Sequence, residues 1–252
     1  MVDGGMGWTA PGVVNPDGAG PFVFLCCHAS NHIPQGLNAL GLPPQELTRH
    51  IAWDPGALGV SRLLSDALDG AIVHPTTSRL VIDCNRADSA PDLIPLRSEL
   101  TDIPGNADLT PERRADRIAG VHGPYHAAID RVLAARDAAG RQSVLVAMHS
   151  FTPVYKGVAR PWHIGILSDR DRRLADPLIA ELAGDAALVV GDNEPYAPKD
   201  GVYYTLDRHG TAKGRITVMI EIRQDLVADA LGEKAWADRL AAALPRALAA
   251  LG

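Results

Sequence analysis

The chain has 252 residues, 46% of them hydrophobic and 21% charged, and a formal net charge of −6. This is an ordinary globular composition, long enough to bury a substantial core. The negative balance argues against nucleic acid or an anionic membrane surface as the main partner, though not against a local basic pocket.

No apolar stretch approaches the length of a bilayer span. The first twenty residues lack the basic start and apolar core of a secretory signal. They read as a flexible Gly-rich lead-in, and the whole of 1–252 reads as a single domain. Three cysteines, two of them adjacent (Cys26, Cys27 and Cys84), form no disulfide framework and fit a reducing, cytoplasmic setting.

In chain order, PFVFLCC is a short apolar run expected to be a buried strand. The stretch PPQELTRHIAWDPGALGVSRLLSDALDG has helical spacing interrupted at WDPG. AIVHPTTS and RLVIDCN are strand candidates. A helix is expected from Thr110, with Pro111 in its first turn and a break near Val121. QSVLVAMHS, PWHIGILS, AALVVGDN and RITVMIEIRQDLV read as further strands, with DRRLADPLIAELAG and the Ala/Leu-rich tail as helices. The alternation implies an α/β fold around a parallel or mixed sheet.

Ligands of open α/β sheets bind beyond the carboxyl ends of the strands. Four polar clusters fall at such ends: His28-Ala-Ser-Asn31, Asp83-Cys-Asn85-Arg86, His149-Ser-Phe-Thr152 and Glu221-Ile-Arg223. His28 and His149, from different strands, are candidate ligands of a catalytic zinc, which keeps three protein ligands and one open position. The third ligand is Asp54 or His50, and Asp54 also reads as a helix cap before Pro55.

Glu221 lies inside a Val/Met/Ile run, where a carboxylate is costly unless paired or used. It is either a general base or the ion-pair partner of Arg223 or another Arg. Asn85, Arg86, Arg79 and Arg160 are candidate anion clamps, and His163 is a candidate pocket wall. Cys27 beside His28 is not read as a nucleophile, because neighbours on a strand point to opposite faces. There is no GxGxxG, Walker or GxSxG motif, which disfavours nucleotide use and α/β-hydrolase chemistry.

HASNHIP, HIAWDPGA, SRLVIDCNR, HSFTPV, RPWHIGIL, DNEPY, YTLDRHG and IEIRQD, in this order, resemble the N-formylglutamate amidohydrolase family from about Phe22 to the C-terminal helix. The resemblance implies a zinc carboxypeptidase-like, three-layer α/β/α sandwich with a mixed central sheet. It implies zinc-dependent hydrolysis of the amide of an N-formyl or N-acyl acidic amino acid. It would make His28 and His149 zinc ligands, Glu221 the general base, and Asn85-Arg86 the grip on the substrate carboxylate. Ser30, Asn31 and His32 would support the first ligand through hydrogen bonds.

Two positions depart from the pattern. Asn31 stands where zinc carboxypeptidases carry their acidic ligand, which shifts that role to Asp54. Cys27 stands where the family's first motif has Glu, which leaves open a thiolate ligand or a non-catalytic, ligand-binding member. Hydrolysis of another N-acyl amino acid or of a short peptide is the alternative on the same fold.

Overall fold

In the computed structural model, which describes residues 7–252, most of the apolar runs become strands of one seven-stranded sheet. In chain order the elements are β1 (Gly12–Val14), β2 (Phe22–Leu25), α1 (Ala57–Leu68), β3 (Ala71–His74), β4 (Arg97–Ser98), β5 (Thr101–Asp102), α2 (Pro111–Arg117), α3 (Gly123–Ala138), β6 (Val144–Phe151), β7 (Val154–Tyr155), β8 (Val158–Ala159), β9 (Ile164–Leu167), α4 (Ala175–Ala183), β10 (Val190–Asp192), α5 (Tyr204–His209), β11 (Thr217–Arg223) and α6 (Ala230–Ala249). The sheet order is β1-β3-β2-β6-β11-β9-β10. Strands β3, β2, β6 and β11 run parallel, β1 and β9 are antiparallel to β3 and β11, and β10 is parallel to β9. This is the expected three-layer mixed sandwich.

Strand alternation sorts the core into two layers. Phe22, Phe24, Val144, Val146, Met148, Val218, Ile220 and Ile222 pack with α1, α4 and α6. Val23, Leu25, Leu145, Ala147 and Met219 pack with α3, α5 and the irregular chain around Leu40 to Ala52 and Leu80 to Ile103. Helix α6 presents Trp236, Leu240, Leu244 and Ala247 on one buried stripe, as a helical period requires.

Several expectations change. Residues 1–6 of the expected lead-in lie outside the described residues, and Gly12–Val14 is a strand: it pairs along the open edge of β3 and satisfies that edge's backbone groups. The AIVHPTTS strand stops at His74, before Pro75. RLVIDCN is no strand. It is a buried, turn-rich segment in the α3 layer, because a continuous apolar run reads the same in a strand and in a buried loop. The helix expected from Thr110 does not break at Val121 but passes through a π turn at Ile118–His122 into α3. Pro124 then lies in the first turn of α3, where its missing N–H costs little. The hairpins β4–β5 and β7–β8, and helix α5, were not foreseen. The second hairpin turns through Lys156 (φ 49) and Gly157 (φ 80), the left-handed pair that suits strand twist.

Candidate metal centre

The site forms at the carboxyl ends of β2, β6 and β11. His149 of β6 pairs in register with Glu221 of β11. Ala147 and Met219, two residues earlier on each strand, face the α3 layer, so alternation sends His149 and Glu221 to that side as well. His28 follows three residues after β2. Its carbonyl accepts the Asp54 N–H at 2.9 Å, which holds the Asp54-Pro55-Gly56 turn beside it. Gly56 (φ 77) is required there, since a Cβ would stand 2.4 Å from the Val227 carbonyl oxygen.

His28, Asp54 and His149 each offer one ligand atom, and these atoms lie within 4.8 Å of one another. All three residues are buried. Asp54 Oδ2 is 3.3 Å from His28 Nδ1 and 2.7 Å from His149 Nδ1. The other nitrogen of His28 is spoken for: Nε2 donates to Asp83 Oδ1 at 2.7 Å. Two imidazole Nδ1 atoms converging on one carboxylate oxygen either carry protons there or share a cation.

With protons on those nitrogens, burial pulls both histidines down, joined by Arg79 at His28, but Asp83 and Asp54 outweigh this at His28, and Asp54 with the Cys27 sulfur outweighs it at His149, so both stay above the ordinary imidazole value. Burial likewise pushes Asp54 up, and the two imidazoles outweigh it and hold Asp54 below the carboxylate range. Asp83, pushed up by burial, is drawn well down by His28 and Arg79.

Glu221 behaves in the opposite way. It is 5% exposed, its Oε2 has no hydrogen-bond partner among the described residues, and burial pushes its carboxyl up to about 7. The expected alternative, an ion pair with Arg223, is not made, because Arg223 pairs with Asp225 at 2.7 Å. An unpartnered buried carboxylate oxygen beside a convergent His/Asp/His set fits a bound cation with a water between them. A cavity of about 190 Å³ opens here, lined by His28, Asp54, Arg79, His149, Tyr196 and Glu221 among others. It suits a small molecule rather than a polymer.

The other expected residues divide. Arg79 lines the cavity, bound to Asp83 Oδ2 at 2.8 Å and 3.6 Å from Asp54 Oδ1. Asn85 touches the cavity, but its side chain is committed to main chain: Oδ1 accepts from Thr205 N and Nδ2 donates to the Val202 carbonyl. Arg86 borders it with Nε on Asp92 and Nη1 on the Gly201 carbonyl. Arg160 lies outside the cavity lining, with Nη1 on the Tyr196 hydroxyl and its guanidinium over the Tyr155 and Tyr196 rings, which do line it.

His163 is not a pocket wall. It exchanges backbone hydrogen bonds at the β9 edge, and its Nδ1 accepts the Val189 N–H. Ser30, Asn31 and His32 brace the loop after β2 rather than the His28 ring. Ser30 bonds the Thr76 carbonyl, Asn31 the Leu47 carbonyl, and the His32 carbonyl accepts from Ser78 N. His50 is not a third ligand, because its Nε2 pairs with Glu99 at 3.0 Å. Cys27 stands outside the convergent set, between the Tyr125 hydroxyl and Thr205 Oγ1 at 3.4 Å each.

Sequence reasoning missed Asp83 as the partner of His28. Its signal was an acidic residue closing the apolar run LVID. It also missed Tyr155, Tyr196 and the His50–Glu99 pair, for which no local signal exists.

The family model for N-formylglutamate amidohydrolase matches residues 20–228. No curated protein matches the chain significantly. Among solved structures, a gene product of Agrobacterium tumefaciens is 45% identical, with 96% of each chain covered and a TM-score of 0.94. An N-formylglutamate amidohydrolase from Ralstonia eutropha is 21% identical, with 96% of this chain and 97% of that one covered and a TM-score of 0.66, a likeness of fold.

Proposed function

The chain belongs to the N-formylglutamate amidohydrolase family, and from that premise we propose that it hydrolyses the amide of an N-formyl or N-acyl acidic amino acid, with N-formylglutamate as the reference substrate and zinc as cofactor. The observation that carries this reading is the unpartnered Glu221 Oε2 beside the converging His28, Asp54 and His149.

His28 Nδ1, Asp54 Oδ2 and His149 Nδ1 would hold the ion. Two imidazoles and a carboxylate are a donor set that zinc accepts. Zinc held there supplies Lewis acidity toward water and toward an amide carbonyl. Asp83 accepts the Nε2–H of His28, which fixes the tautomer and leaves Nδ1 as the ligand atom. Glu221, raised to about 7, is matched to accept a proton from water at Oε2 and return it to the departing amine nitrogen. Arg79, at the cavity wall, is placed to draw the carboxylate end of a small anionic substrate. Its own charge is already shared with Asp83 and Asp54, so it orients the substrate more than it attracts it.

Elemental analysis of the purified wild type and of His149→Ala, paired with N-formylglutamate turnover, tests this. Near-stoichiometric zinc in the wild type, lost together with turnover in His149→Ala, is the expected result. A wild type that takes up no divalent metal on reconstitution overturns the reading.

A further inference from the structure

Behind the site, on the far side of the Asp83–Arg86 segment, lie three histidines that the proposed chemistry does not use. His122 and His126 sit one helical turn apart where the π turn enters α3, and His209 ends α5. Their exposures are 2%, 0% and 2%. Three unrelated core histidines would each find a local partner. Here two of them hold carbonyls of one short segment, and the third bonds one of those two. His122 Nε2 is 2.9 Å from the Arg86 carbonyl oxygen, and His126 Nε2 is 3.1 Å from that of Cys84. His126 Nδ1 is 2.8 Å from His209 Nε2, with the two rings stacked at 5.1 Å. His209 Nδ1 is 3.0 Å from Asp130 Oδ1 at the surface.

Carbonyl oxygens only accept, so His122 and His126 each carry a proton on Nε2. Burial, with Arg208 nearby, disfavours a second proton on either ring and holds His126 down to about 2. His126 Nδ1 is therefore a bare lone pair, and the hydrogen facing it belongs to His209 Nε2. Burial also holds His209 down to about 4, with Arg208 and Arg215 assisting and Asp130 opposing. His209 therefore donates Nε2–H to His126 Nδ1, and its Nδ1 is 3.0 Å from the largely exposed Asp130 carboxylate.

The anchored segment matters to the site. Asp83 Oδ1, which accepts the His28 Nε2–H, also accepts the Asn85 N–H at 2.8 Å, so the aim of that carboxylate follows the main chain at 84–86. Thr205 adds a third hold through the Cys84 carbonyl and Asn85 Oδ1.

We propose that His122 and His126 are positioning residues of this active site: their N–H groups fix the Cys84–Arg86 main chain, and through it Asp83 against His28, while His209 sets the tautomer of His126. That they serve catalysis rests on the proposed function. That they hold the His28–Asp83 contact does not.

Imidazole nitrogen NMR at neutral pH on the wild type, His209→Gln and His209→Leu tests both statements. In the wild type His122, His126 and His209 should each show a protonated Nε2, and His126 a bare Nδ1. A glutamine amide N–H can replace the donor to His126 Nδ1, whereas leucine cannot. The His28 Nε2–H resonance, which needs no substrate, should therefore stay in place in His209→Gln and shift in His209→Leu. In turnover, His209→Leu should lose about tenfold in kcat with KM little changed, the low end of what misplacing a ligand's supporting partner costs, and His209→Gln should lose far less.

A proton on His126 Nδ1 in the wild type, or an equal effect of both substitutions in folded protein, overturns the proposal. If His209→Leu does not fold, His122→Gln against His122→Leu poses the same question at the Arg86 carbonyl. If the His28 resonance responds as expected in a protein that cleaves no N-acyl amino acid, the positioning of Asp83 against His28 stands and the proposed function falls.

Discussion

On the face covered by α1, α4 and α6, the sheet meets an almost unbroken set of aliphatic and aromatic side chains, from Phe22 and Phe24 to Ile222 and Leu244. The few buried polar groups there, such as Ser61 and Ser65, close onto main-chain carbonyls within a helical turn or at a helix end. On the opposite face the sheet carries His28, His149 and Glu221, backed by Asp54, Asp83, Asn85, His122, His126 and His209, all buried. The helices of the first face are long and regular, while much of the second is irregular chain held by side-chain to backbone bonds. Both layers bury an apolar core, but only the second also holds a set of buried polar groups in fixed orientations.

The contrast predicts that activity and stability can be damaged separately. The largest effect belongs to the polar face. Glu221→Gln should lower kcat by about 10²–10⁴-fold, the usual worth of a general base, while bound metal, read by elemental analysis, is unchanged. Next comes the apolar face. Leu240, fully buried in α6 against the sheet, should cost about 2–5 kcal/mol of unfolding free energy when cut to Ala. Its kcat, assayed well below the melting temperature, should match the wild type. A Leu240→Ala enzyme that is folded yet slow would show that the layers are mechanically coupled.

A third effect crosses the two. The Glu221 carboxyl is raised from 4.5 to about 7 in the folded chain, so the native state binds its proton more tightly than the unfolded state does. Stability therefore falls as pH rises through that window, and the full penalty is present above about pH 7. Glu221→Gln removes it. In chelator-treated protein the variant should gain up to about 3 kcal/mol above that pH and little below pH 4.5. Melting curves at both ends of the window read the difference directly. A gain that is equal at both ends would mean the carboxyl is not the source.

The legibility of the molecule follows the same division. The apolar strands announced themselves because burial on both faces leaves continuous Val/Ile/Leu runs, as in VLVAMH and TVMIEI. His28, His149 and Glu221 stood out as polar residues ending or interrupting such runs, and Asp54 followed from the need for a third ligand. What could not be read was direction. Arg160, Arg223 and His163 occupy strand ends or the chain just beside them, yet their side chains turn to Tyr196, Asp225 and the Val189 N–H before β10. The link from Asp83 to His28 joins residues 55 positions apart, and no local pattern encodes it. RLVIDCN misled for the converse reason, since a buried loop is as apolar as a strand.

That link gives the smallest and sharpest of the predictions. Asp83 accepts three donors, from His28 Nε2, Arg79 Nη2 and its own Asn85 N–H. Asparagine keeps one side-chain oxygen for His28 but loses the charge and turns an amide toward the Arg79 guanidinium. The fold should tolerate this, because the Cys84 and Arg86 carbonyls remain held by His126 and His122. His28 would lose the partner that makes its Nδ1 electron-rich, so Asp83→Asn should lower metal affinity or kcat by about 10–100-fold, with KM and melting temperature little moved. If Asp83→Asn matched the wild type in both metal affinity and kcat, the carboxylate would be only a hydrogen-bond acceptor there. The polar face would then owe its chemistry to geometry alone and not to charge.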